Sequence, residues 1–190
     1  MRYLIEPTPE VFDKLIGAIN KIDFLPNKGV IDNQTILISL ADANLSIPNR
    51  FSPLIKNTFG ITQSIIFENE KFHLIIINEE FCRVYRADLV SVILHEIGHI
   101  INVFQKEISP LEARRNNISG DLNQINAAIR LENEFHADYI VKHCGQIIGA
   151  KQNLRNSLNI GFDDEELNLR IAALESNKIR LTNTIRTHTI

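Results

Sequence analysis

Val92-Ile93-Leu94-His95-Glu96-Ile97-Gly98-His99-Ile100-Ile101 is the stretch around which the chain is organised, and it places H-E-x-x-H inside a run of otherwise uncharged residues. Side chains four apart share one face of an α-helix, so His95 and His99 can offer two imidazoles to one metal ion. Glu96 lies one position round from His95, where a carboxylate reaches a metal-bound water without ligating the metal itself. The competing reading is two buried histidines on an ordinary core helix. Asp88, just before the apolar periodicity, suits an N-cap, and the helix after it is expected to run to about Gln105. Leu89, Val92, Ile93, Ile100, Ile101 and Phe104 are expected to form its buried side.

Two histidines do not hold a catalytic zinc, which needs a third protein ligand and a fourth position left for water. A second long helix, capped at Asp121 and ending near Gly145, carries Glu132-Asn133-Glu134-Phe135-His136-Ala137-Asp138. Its apolar positions are Leu122, Ile125, Ala128, Ile129, Phe135 and Ile140. Glu134 and Asp138 share a face. They offer a ligating carboxylate and, one turn later, a carboxylate that can accept the other ring N–H of a ligating histidine. Glu132 and His136 are also four apart, on a different face, and form an alternative pair.

His95-Glu96-Ile97-Gly98-His99 followed by Asn133-Glu134-x-x-Ala137-Asp138 resembles the gluzincin zinc metallopeptidases. The resemblance implies one Zn2+ ion held by His95, His99 and Glu134, with Glu96 as catalytic base and Asp138 behind a ligating histidine, His95 by preference. It implies peptide or protein as substrate. It also implies an α+β, zincin-like fold: a small, mostly antiparallel sheet packed on the two zinc helices, with extra N- and C-terminal helices. Within the gluzincins the pattern is most similar to the soluble catalytic core of the HtpX and CAAX-prenyl-protease type. Ile75-Ile76-Ile77-Asn78 looks like that group's edge strand, and Arg170-Ile171-Ala172-Ala173-Leu174 looks like its C-terminal R-I-x-x-L helix. The strand Leu74 to Asn78 could align substrate as an added strand, the alternative being an interior strand of the sheet. The group's membrane helices are missing, and no Thr-His-Pro precedes Arg170. A metzincin would need glycine at 102 and histidine at 105, where this chain has Asn102 and Gln105. For the second electrophile that holds an oxyanion, Tyr139, His143 and Arg170 are the candidates. The rival to a general peptidase is a regulatory protease or binding module of the ImmA/IrrE type, acting on a single protein partner. A further alternative is a latent enzyme with its cleft blocked by the C-terminal helix.

Outward from the two motifs, Thr8-Pro9-Glu10 opens an amphipathic helix ending near Asp23, and Thr35 to Leu40 reads as a strand. Asp42 to Pro53 reads as loop, with a short helical turn after Pro53. Ser64 to Phe67 and Phe72 to Ile77 flank Glu68-Asn69-Glu70-Lys71 as a β-hairpin, with His73 expected at the surface or half-buried. A short helical segment is expected from Ser109-Pro110 to just before Asn116. Leu154, Leu158, Ile160, Leu167, Ile171, Leu174, Leu181 and Ile185 give a helical C-terminal segment, with Asp163 to Glu166 at the favoured end of its last helix. The expected organisation is one domain over 1–190, with a core from about 8 to 145 and residues 150–190 packing on it.

With 190 residues, a net charge of −3 and a pI near 6.1, the chain gives no electrostatic reason to bind nucleic acid or anionic lipid. Its two cysteines, Cys82 and Cys144, make no disulfide framework and fit reduced thiols in a cytoplasmic protein. Cys144 lies near His136 and His143 in sequence, but no C-x-x-C accompanies it. Acidic residues between Met1 and Lys14 argue against a signal peptide, and no apolar run is long enough to span a membrane.

Overall fold

The computed structural model describes residues 2–5, 8–22, 35–40, 57–104, 122–162 and 164–176. In chain order these form β1 (Arg2–Ile5), α1 (Pro9–Lys21), β2 (Thr35–Leu40), β3 (Gly60–Phe67) and β4 (Glu70–Asn78). Then come α2 (Glu79–Val84), α3 (Leu89–Phe104), α4 (Leu122–His143), α5 (Ile147–Ile160) and α6 (Asp164–Glu175). The expected helical segment after Ser109, the turn after Pro53, the cap at Asp121 and the apolar positions Leu181 and Ile185 lie outside the described residues.

The architecture is α+β, but the sheet is not mostly antiparallel. Its strands run β1-β2-β4-β3, with β1 parallel to β2, β2 parallel to β4, and only β3 antiparallel to β4. Parallel neighbours need a crossover rather than a tight turn, and α1 supplies the one between β1 and β2. The antiparallel pair is the expected hairpin. Its loop is only Glu68 and Asn69, both with positive φ (49° and 66°), which is the two-residue turn whose twist suits flanking strands.

β4 is an interior strand rather than an edge. It is hydrogen-bonded on both sides and buried continuously from Phe72 to Asn78, as a run of adjacent isoleucines requires. The outer strand on this side of the described sheet is β3. Register places Gly60 opposite Ile77, Thr62 opposite Ile75 and Ser64 opposite His73, so these residues share one face. That face meets α3: Ile75 and Ile77 join Ile93, Ile97 and Ile100 in the core. His73 is therefore fully buried, contrary to expectation, with its Nδ1 3.1 Å from Ser64 Oγ.

Local chemistry fixes the starts of α1, α2 and α3. Thr8 O accepts the first bond of α1 from Phe12 N at 2.9 Å, while the Thr8 hydroxyl donates to Glu79 Oε2 at 2.6 Å. α2 was not legible as an element, yet it carries an ordinary cap: Asn78 Oδ1 accepts from Phe81 N at 3.0 Å, ahead of Glu79 and Glu80. Asp88 caps α3 through Oδ1, which accepts from Ser91 N at 2.8 Å and the Ser91 hydroxyl at 2.7 Å. Asn153 on α5 grips the Asp88 backbone at both N–H (2.7 Å) and C=O (3.1 Å), tying α5 to that cap.

α3 and α4 cross with almost no side chain between them. A Cβ at Gly98 would lie 2.7 Å from the Ala137 Cα, closer than packed atoms come. Only glycine facing alanine allows this approach. Overpacking a contact of this kind costs about 1–3 kcal/mol. Gly98→Ala should therefore lower the unfolding free energy measured in urea by that amount, and an unchanged value would mean the two helices do not touch at Gly98.

Candidate metal centre

The crossing at Gly98 turns His95 and His99 of α3 toward Glu134 and Asp138 of α4. His95 Nε2 and His99 Nε2 lie 3.1 Å apart. Glu134 Oε2 is 3.2 Å from His95 Nε2, and Glu134 Oε1 is 3.6 Å from His99 Nε2. One ligand atom from each of the three residues falls within 4.8 Å of the others, which makes them, among the described residues, a group able to hold a metal ion. Two imidazoles and a carboxylate with an open side are the donor set of a catalytic zinc. Glu132 and His136, the alternative pair, are not in this group. Neither are Cys144, His136 and His143 as a set; Cys144 is buried, with its thiol 3.5 Å from the Lys21 carbonyl.

Asp138 lies behind His95, with Oδ1 2.9 Å from Nδ1. The carboxylate accepts the Nδ1 proton, which points Nε2 at the other two ligands. Burial alone would strip His95 of a second proton, but the hydrogen bonds to Asp138 and Glu134 prevail and raise its pKa to about 10. For His99, burial and the neighbouring positive charge of His95 act together and lower the pKa to about 4, leaving a neutral imidazole. Burial opposes ionisation of Glu134 and Asp138 too. The bond and charge of His95, with Arg170, outweigh it and hold both carboxyls below the usual range.

Arg170, from α6, completes the cluster. Its Nη1 is 2.7 Å from Glu134 Oε2, while Nε and Nη2 donate to Asp138 Oδ2 and Oδ1 at 2.8 and 3.0 Å. Arg170 is thus engaged on two carboxylates, and its Nη2 also lies 3.5 Å from His95 Nε2. Tyr139 and His143 are the other two oxyanion candidates. Both lie round the helix from the Glu134 and Asp138 face and neither lines the cavity that contains the histidines. Tyr139 packs against the core, its ring centroid 5.9 Å from that of His143.

Glu96 is buried against β3. The Thr62 hydroxyl lies 2.8 Å from Glu96 Oε2 and 3.0 Å from the Glu96 carbonyl. Gly60 leaves room beside it, since a Cβ there would come within 3.0 Å of Glu96 Cγ and Oε1. Burial raises the Glu96 pKa, opposed by His95 and by the Thr62 hydrogen bond. Thr62 and Gly60 were not singled out from sequence, because a threonine and a glycine in a polar half-strand carry no signal until β3 is laid against α3. His95, Glu96, His99, Glu134 and Arg170 all line a cavity of about 700 Å3, walled by β3 on one side and by α4, α5 and α6 on the others.

Comparison with known proteins adds nothing to this geometry: no protein-family model, no curated protein and no solved structure matches the chain. Among the described residues, no helix is long and apolar enough to cross a membrane.

The contact to Glu96 is directly testable. Thr62→Val removes the hydroxyl from a buried carboxylate and should cost about 1–3 kcal/mol at neutral pH, measured by urea unfolding. The cost should shrink on acidification, as Glu96 takes up a proton and needs the donor less. A variant as stable as wild type at neutral pH would show that Thr62 does not support Glu96.

Proposed function

We propose that this chain is a zinc-dependent peptide-bond hydrolase of the gluzincin type, with a zincin-like fold built on α3 and α4. The observation that carries the reading is the convergence of His95 Nε2, His99 Nε2 and the Glu134 carboxylate within 4.8 Å, lining one cavity together with a buried Glu96. When bound there, zinc supplies polarisation of the scissile carbonyl and lowers the pKa of water to about 7.

The chain's own residues divide the remaining tasks. His95, His99 and Glu134 hold the ion, and Asp138 keeps the His95 ring in the tautomer that ligates. Glu96 is the general base. Burial raises its affinity for a proton, and the Thr62 hydroxyl fixes Oε2 so that the carboxylate keeps its aim. It takes the proton of the attacking water and returns it to the leaving amine. The outer strand β3 lies beside Glu96 through Thr62 and Gly60, so an extended peptide added to β3 would pass the base. This replaces β4, which is paired on both sides, as the strand that aligns substrate.

Glu96→Gln keeps the shape of the side chain and removes the base. In the zinc-loaded protein it should reduce kcat/KM on a peptide library about 10²–10⁴-fold with zinc content unchanged. Undiminished cleavage by this variant would overturn the assignment of Glu96. The pattern of cuts made by wild type separates the two hydrolase readings: many cleaved peptides mark a general peptidase, and a single protein product marks an ImmA/IrrE-type protease with one partner.

A further inference from the structure

We infer that Arg170 is a positioning residue that leaves Glu134 a single oxygen for the metal and thereby keeps the fourth coordination position open. The inference rests on the zinc reading above and assigns to α6 a part in that site.

Glu134 and Asp138 are one helical turn apart, where like charges repel. They are kept together by one planar guanidinium that addresses both. Nε and Nη2 form a fork on the two oxygens of Asp138, at 2.8 and 3.0 Å, and Nη1 reaches Glu134 Oε2 at 2.7 Å. The guanidinium is itself buried, with Arg170 only 8% exposed. Because its donors are rigidly spaced, fixing the fork on Asp138 also fixes where Nη1 meets Glu134. Glu166, one turn earlier on α6, lies 3.9 Å from Nη1 and is paired by Arg130 from α4 at 3.2 Å. The arginine is therefore enclosed by carboxylates from two helices.

The two oxygens of Glu134 are consequently unlike. Oε2 already accepts a charged hydrogen bond from Arg170. Oε2 also lies 3.2 Å from His95 Nε2, whereas Oε1, 3.6 Å from His99 Nε2, has no arginine donor and is the oxygen left for a metal. A carboxylate that bound through both oxygens would add a donor beside the position that a catalytic zinc site reserves for water, crowding that position and raising the coordination number to five. On this account Arg170 does not touch substrate. It acts through Glu134 and Asp138, and a lysine could not replace it, since a single ammonium cannot hold both carboxylates in one fixed geometry.

Cobalt(II) is the probe, because four-coordinate cobalt absorbs visible light more strongly than five- or six-coordinate cobalt. The Co2+-loaded full chain should give intense bands. Arg170→Gln should give weaker bands and a Co2+ affinity lowered roughly 10–100-fold. In Arg170→Ala, millimolar guanidinium, far below denaturing levels, should restore band intensity. Ile171→Ala loosens the same helix without removing a charge, so it should lower Tm and leave the spectrum alone. The inference is overturned if Arg170→Gln matches wild type in spectrum and affinity while Glu134→Ala loses the metal, an outcome that leaves the zinc reading standing. It is also overturned if Ile171→Ala changes the spectrum as much as Arg170→Gln does. If wild type binds neither Co2+ nor Zn2+, the zinc reading falls and this inference falls with it.

Discussion

The approach of α3 to α4 at Gly98 and Ala137 sets the positions of everything in the cavity. With a Cβ on Gly98 lying 2.7 Å from the Ala137 Cα, the two backbones cannot be spaced by ordinary side chains. The residues flanking that crossing form the candidate metal centre: His95 and His99 one turn apart on one helix, Glu134 and Asp138 one turn apart on the other. A wider crossing would move Glu134 out of reach of the imidazoles, and a rotated one would point Glu132 or His136 at them. The glycine inside H-E-x-G-H and the alanine inside N-E-x-x-A-D are thus packing residues that make the ligand geometry possible.

The second dependence is electrostatic. Glu96, Glu134, Asp138, His95 and Arg170 sit within one largely buried cluster, where an uncompensated charge is costly. Compensation is specific. Asp138 faces His95 and Arg170, Glu134 faces His95 and Arg170, and Glu96 faces the Thr62 hydroxyl on the opposite wall. The carboxylates on α4 are therefore held ionised, whereas burial pushes the Glu96 pKa up. The environments of these neighbouring carboxyls diverge because they come from different elements, α6 for Glu134 and Asp138 and β3 for Glu96.

Much of this was written in local sequence. The H-E-x-x-H spacing, the i,i+4 pair Glu134 and Asp138 and the cap at Asp88 are short-range patterns that lie where they were expected. The hairpin is also there, but its turn is Glu68 and Asn69 alone, with Glu70 and Lys71 already paired in β4. What was not legible depends on partners distant in the chain. Ile75-Ile76-Ile77-Asn78 reads equally as an edge or an interior strand, and only the pairing of β2 decides for the interior. The parallel order of β1, β2 and β4 follows from a crossover that periodicity does not encode. His73 reads as a polar strand residue until β3 places Ser64 opposite it. Tyr139 and His143 share a helix with Glu134 but not its face, which spacing alone could have shown. Arg170 was visible as a cation near the end of the chain; that it clamps two α4 carboxylates depends on α6 folding back across α4.

Zinc K-edge X-ray absorption on the full chain loaded with one equivalent of zinc tests the central claim most directly. The account requires a first shell of nitrogen and oxygen only, at about 2.0–2.1 Å, with outer-shell scattering from two imidazoles. A sulfur contribution near 2.3 Å, a shell without imidazole scattering, or failure to take up zinc at all would contradict it.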